Sequence, residues 1–147
     1  MTERTVFQSM AQRHVVSVAP TATVHAAACV MSRTNSSSVL VIDAANTMLG
    51  IVTERDMITR VLSRALDPSL TPITDVMTRS PHCVPPETKV ADAVLVMIER
   101  GFRHLAVVTT DTNQILGVFS VRDAMAREVN AAASLAEFHE QVNDALG

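Results

Sequence analysis

The chain has 147 residues, 48% of them hydrophobic but only 3% aromatic, with a formal net charge of −3 and a sequence pI near 5.9. This length suits one compact domain or two small units sharing a core, and without Trp or Tyr that core has to be aliphatic. Mild acidity and missing aromatics argue against a nucleic-acid partner, two well-separated cysteines against a disulfide scaffold or zinc site, and the lack of long apolar runs against a membrane span.

Met1-Thr2-Glu3-Arg4 leads into no apolar signal core, so a reduced, cytoplasmic setting is expected. One helical turn is expected around Phe7 and Met10, then a short strand from Val15 to Val18, ended by Pro20. Val24, Ala27, Ala28 and Met31 fall at i, i+3, i+4 and i+7, the apolar stripe of a helix that Thr21 or Thr23 can cap. Asn35-Ser36-Ser37-Ser38 breaks it. A hairpin follows, with strands Val39–Ile42 and Met48–Val52, then a helix from Thr53 towards Ala65 that buries Met57, Val61 and Leu62. The linker holds Thr71-Pro72, which resembles a cap and first-turn proline, ahead of a short turn through Val76 and Met77.

The pattern then begins again. A shift of 66 places superimposes Val18 on Val84, Pro20 on Pro86, Val24 on Val90, Met31 on Met97 and Val41 on Val107. After a hairpin turn one residue longer, a shift of 67 superimposes Gly50 on Gly117, Arg55 on Arg122 and Asp56 on Asp123. The second helix carries Val90, Ala93, Val94 and Met97 at the same spacing and stops at Gly101. From Ser120 a last helix runs on unbroken or restarts near Asn130, with Leu135, Phe138 and Val142 as an apolar stripe for its own protein, a second copy or a partner. The fold class is α/β (α+β), a duplicated strand–helix–strand–strand–helix unit.

The repeated stretch with chemical content is Gly50-Ile51-Val52-Thr53-Glu54-Arg55-Asp56, which returns as Gly117-Val118-Phe119-Ser120-Val121-Arg122-Asp123. Each copy reads as a strand ending where a helix begins. There Ser or Thr caps the first backbone N–H groups, and an acid three residues on completes a capping box. A plain cap leaves the Arg of both copies idle. The sharper reading assigns the helix start and Arg to phosphate and the Asp to sugar hydroxyls, so the turn suits a ribose phosphate.

These features resemble a tandem pair of CBS (cystathionine β-synthase) domains, a Bateman module: the doubled Gly-apolar-x-Ser/Thr-x-x-Asp signature, the hairpin before it, the Val-x-Pro opening and Val76-Met77-Thr78. Residues 7–66 resemble the first repeat and 73–132 the second, joined by a linker at 67–72 and followed by a helical tail at 133–147. The resemblance implies two repeats packed as a pseudo-two-fold module, with clefts that take an adenosine ligand: AMP, ADP or ATP, with S-adenosylmethionine and NADH as further candidates. It also implies homodimers and a regulatory, non-enzymatic role that needs no cofactor. It places Asp56 and Asp123 on ribose, and Thr53, Arg55, Ser120 and Arg122 on phosphate. Ser17, Val18, Cys83 and Val84 of the opening strands, and Ser37, Ser38, Arg103 and His104 at the entry to the second strands, line the clefts. Ile51 and Val118 pack on the base. Two family positions differ here, with Leu40 and Ala106 where Pro is frequent, and Thr109 where an acid often ends the strand. Arg103 and His104 against Ser37 and Ser38 make the clefts unequal in charge.

No nucleophile–base constellation is visible, and none of the five histidines has a zinc spacing, so catalytic and metal residues are expected to be absent. Cys29 is expected to be a buried, inert thiol and the methionines core fillers. The alternative function is a structural dimerisation module, or one that docks a protein through its tail helix, with the signature retained only as a cap.

Overall fold

The computed structural model describes residues 3–146. They fall into two compact units, one of residues 15–81 and the other of residues 3–14 together with 82–146.

In the first unit, strand β1 (Ser17–Val18) lies parallel to β2 (Ser38–Ile42), and α2 (Val24–Thr34) is the crossover that a parallel pair requires. β2 turns back antiparallel into β3 (Met48–Thr53), and β4 (Thr78–Arg79) closes the sheet in the order β1-β2-β3-β4. The second unit repeats the plan with β5 (Cys83–Val84), α4 (Val90–Arg100), β6 (His104–Val108) and β7 (Ile115–Ser120), in the order β5-β6-β7. Both hairpins carry a register irregularity at matched places, Val41/Ile42 and Val107/Val108. Both crossover helices end in a left-handed residue, Asn35 at φ 53° and Gly101 at φ 73°.

The two cores are made alike, except that the second is not purely aliphatic as expected but holds the fully buried ring of Phe119. Val24, Ala27 and Met31 of α2 meet Val39, Val41 and Val52 of the sheet. Val90, Ala93, Val94 and Met97 of α4 meet Leu105, Val107 and Phe119. Ala28 departs from the expected stripe and is exposed, although its counterpart Val94 is buried. The difference follows from what comes after each signature. Val94 shares a core with Ala132 of the long helix α5 (Ala126–Leu146), whereas the helix after the first signature is short.

That first helix, α3 (Glu54–Met57), continues as one π-helical turn (Ile58–Leu62) and stops there rather than reaching Ala65. It buries Val61, but Leu62 is 70% exposed, so the expected burial of Leu62 is corrected. After the second signature the chain makes a 3-10 turn (Val121–Asp123), is extended at Ala124, and only then enters α5. The interruption therefore lies at Ala124, and α5 passes through Asn130 unbroken. Leu135, Phe138 and Val142 all stay exposed. Thr23 caps α2 through a bond from the Ala26 amide. Thr71, by contrast, caps nothing, because its hydroxyl donates to the Asp67 carbonyl and the 3-10 turn Ile73–Asp75 has no side-chain cap.

The openings of the two repeats are exchanged. Helix α1 (Val6–Ser9) comes at the start of the chain but packs in the unit of α4: the Val90 amide donates to Arg4 O at 3.0 Å and the Val6 amide to Thr88 O at 2.7 Å. The matching segment ahead of the second repeat packs in the unit of α2: the Val24 amide donates to Thr71 O at 2.9 Å and the Ile73 amide to Ala22 O at 2.9 Å. Each opening ends in a methionine against a signature glycine. A Cβ on Gly50 would sit 2.5 Å from Met77 Sδ, and one on Gly117, at φ 145°, would sit 2.9 Å from Met10 Cε.

Candidate functional site

Side chains alternate across a strand, so each sheet has a core face and a second face. In the unit of residues 15–81, Ser17, Leu40, Ile51 and Thr78 stand in one row across the four strands, with Ser38 opposite Thr53 at its end. In the other unit Cys83, Ala106 and Val118 form the matching row, with His104 opposite Ser120. The hydroxyls, Cys83, His104, Ile51 and Val118 thus gather within each unit at the end of the sheet where the signature turn starts. Val18 and Val84 do not join them, because their side chains pack into the cores. Any ligand contact from these two residues would come from the backbone.

The entry to the second strand is stitched to the signature turn in the same way twice. The Glu54 amide donates to Ser37 O at 3.0 Å and the Val121 amide to Arg103 O at 3.1 Å. Both turns are true capping boxes. The Asp56 amide donates to Thr53 Oγ1 at 3.3 Å, while Asp56 Oδ2 accepts from the Thr53 amide at 2.9 Å and its hydroxyl at 3.1 Å. In the second copy the Arg122 amide donates to Ser120 Oγ at 3.3 Å, and Asp123 Oδ2 accepts from the Ser120 amide at 3.0 Å. A carboxylate has about four acceptor sites, so the box leaves capacity on each Asp. Arg55 and Arg122 are exposed beside these turns, and Asp56 and Asp123 are half-buried.

The remaining oxygens are held differently. Asp56 Oδ1 faces Arg60 Nε at 3.6 Å, and Arg60 Nη1 donates to Val76 O at 3.1 Å and Met77 O at 3.2 Å. Asp123 Oδ1 accepts from the Ala11 amide at 3.3 Å. Arg4 reaches the same turn, donating from Nη2 to Asp123 O at 3.0 Å and to Glu128 Oε1 at 2.7 Å, and the hydrogen bond to Glu128 raises the Arg4 pKa above its ordinary value. Glu128 is buried and also accepts from the Met125 amide at 2.8 Å, which fixes the start of α5. None of these ties featured among the expected site residues. Arg60 had a visible signal, standing four residues after Asp56 in a helix. Arg4 had none, because 119 residues separate it from Asp123.

Cys83 is solvent-accessible, yet the atoms around it push its thiol pKa up. Cys29 is exposed rather than buried, with its Sγ 3.7 Å from His25 Nε2. Met10, Met31, Met77 and Met97 fill the cores, whereas Met125 is exposed. Among the described residues there is no group of three or more His, Cys, Asp or Glu placed to hold a metal ion, and no helix is long and apolar enough to cross a membrane.

The CBS domain model matches residues 7–63 and again 73–130. The chain is 34% identical over 119 residues to the uncharacterized 17.7 kDa protein in the bps2 3′ region of Acidianus ambivalens, covering 81% of this chain and 70% of that one. It is 33% identical over 124 residues to the meiotically up-regulated gene 70 protein of Schizosaccharomyces pombe, covering 79% of this chain but only 17% of the longer relative. Among solved structures it resembles the CBS domain protein PAE2072 from Pyrobaculum aerophilum complexed with AMP, with a TM-score of 0.76 and 24% identity over 89% of this chain and 99% of that one. Two matched segments, each holding one complete copy of the turn, place the chain in the CBS-domain family as a tandem CBS pair.

Proposed function

We propose that this CBS pair is a regulatory module that binds an adenosine nucleotide (AMP, ADP or ATP) at its signature turns and converts binding into a changed arrangement of its two units. The carrying observation is the doubled turn itself: hydroxyl, exposed Arg and half-buried Asp stand beside Ile51 in one copy and Val118 in the other. Arg55 and Arg122 supply forked donors for phosphate, and the spare acceptor sites of Asp56 and Asp123 suit ribose hydroxyls. Half-buried Val118 offers apolar surface to the base, whereas its counterpart Ile51 is only 7% exposed. The second turn has Arg103 and His104 nearby, which favours the more highly charged phosphate tail there. The AMP complex of the Pyrobaculum relative supports the same ligand class. Such a ligand acts as a signal only through different affinity for two arrangements.

Thermal unfolding of the full chain with AMP, ADP, ATP, S-adenosylmethionine and NADH tests this reading. At a hundredfold excess over Kd a true ligand stabilises by about 2.7 kcal/mol, and Asp123→Ala should remove most of that gain. Lack of any shift at millimolar concentration would count decisively against it. A docking module is the second reading, favoured by the exposed stripe of Leu135, Phe138 and Val142 on α5. On that reading, truncation after residue 132 abolishes partner capture and leaves the nucleotide response untouched.

A further inference from the structure

Arg60 links two parts of the first unit that also share its core, the signature helix with its π-helical turn and the segment from Val76 onward. Its Nε faces the Asp56 carboxylate, while Nη1 holds the carbonyls of Val76 and Met77. Those two residues begin a tightly laced stretch. Met77 is buried against Gly50, Thr78 and Arg79 pair with Ile51 and Gly50, and the Ser80 amide donates to Leu49 O at 3.4 Å. The chain then runs through Pro81 into His82, the first residue of the second segment of the other unit. One guanidinium therefore touches both the signature carboxylate and the backbone leading from one unit to the other.

The second signature makes the same connection with different atoms. Asp123 Oδ1 takes the Ala11 amide directly, one residue after Met10, which packs on Gly117 as Met77 does on Gly50. Residues 11–14 then lead into Val15, where the chain passes back to the first unit. Two unrelated donors making one connection twice argue for a role beyond local stability.

We propose that Arg60 is a positioning residue: it orients the Asp56 carboxylate and ties its occupancy to the connecting segment 76–80, so that a ligand engaging Asp56 loosens or tightens that segment. The ligand half of this rests on the nucleotide reading above. Sugar hydroxyls that share the carboxylate with Arg60 weaken the pull on the guanidinium, and its fork onto Val76 and Met77 follows.

Hydrogen exchange of the amides of residues 78–80 in the full chain, taken as a ratio to those of β6 so that global unfolding cancels, tests the tie. Without ligand, Asp56→Asn and Arg60→Met should each speed the ratio about fivefold, and the double variant should do no more than either alone, as expected for groups acting in one network. Arg60→Lys, which keeps the charge but loses the fork, should fall between. With AMP, in an Asp123→Ala background that leaves only the first turn to bind, the ratio should change when Arg60 is present and should not in Arg60→Met, although calorimetry still detects AMP binding to that variant. Additive single effects, or an AMP response that persists in Arg60→Met, would overturn the proposal. Absence of binding of AMP, ADP and ATP alike to the wild type would refute the nucleotide reading instead, while the ligand-free cycle still decides the tie.

Discussion

Thr53 and Asp56 satisfy each other's polar groups, the Asp56 amide donating to Thr53 Oγ1 at 3.3 Å and the Thr53 amide to Asp56 Oδ2 at 2.9 Å. The acid that is offered to a ligand is thus also part of the fold. Asp56→Ala should lower stability by about 1 kcal/mol with no ligand present, the usual worth of a cap, and should weaken nucleotide binding besides. Urea unfolding with and without AMP separates the two effects; an equal loss in both conditions would mean the acid serves the fold alone.

Gly117 combines φ 145° with a neighbour 2.9 Å from any added Cβ. Gly117→Ala should cost about 1–3 kcal/mol, because the backbone is strained for an L residue and Met10 has to move. In a Met10→Ala background, which carries its own cavity cost, Gly117→Ala should cost less than in the wild type because only the backbone strain remains, read as the shift in urea midpoint between the two.

Phenylalanines in the same unit should behave oppositely. Phe119 is fully buried and Phe138 is 58% exposed. Phe119→Ala should cost about 3–5 kcal/mol through the cavity it leaves, whereas Phe138→Ala should stay within about 0.5 kcal/mol. A large loss at Phe138 in dilute solution would show that the tail stripe is already covered by a second copy.

The thiol of Cys83 titrates above its ordinary value because burial disfavours the thiolate. Alkylation requires the thiolate. Labelling of Cys83 should therefore be slow at neutral pH and accelerate only at a pH above that at which an unfolded-state cysteine does so. A ligand that covers this row of the sheet should slow it further. Iodoacetamide kinetics followed by peptide mass spectrometry, with Cys29 as the second site, measures both.

Much of this architecture is written in local pattern. The doubled spacing of Val24 with Met31 and Val90 with Met97 marked both crossover helices, and the Ser/Thr–Asp pairs marked both capped turns, because each depends on residues within one or two turns of the chain. Burial was less legible. Ala28 satisfies the apolar spacing and Cys29 lies next to it, yet both are exposed, since α2 has no long helix like α5 to cover its far side. The ends of the signature helices were also hidden. Ala124 is extended although alanine favours helix, because Arg4 and Glu128 fix the turn from outside it. Arg4, Ala11 and the exchange of the openings are long-range facts that a local pattern does not carry.

That exchange bears on how such a pair could have arisen. A chain holding one repeat would have an opening arm not bonded to its own crossover helix and an empty berth beside that helix. Two identical chains would fill each other's berths by trading arms, the low-cost route to a dimer. Fusing two such chains end to end turns the trade into an internal one, and it makes either half expressed alone a protein in search of its missing arm.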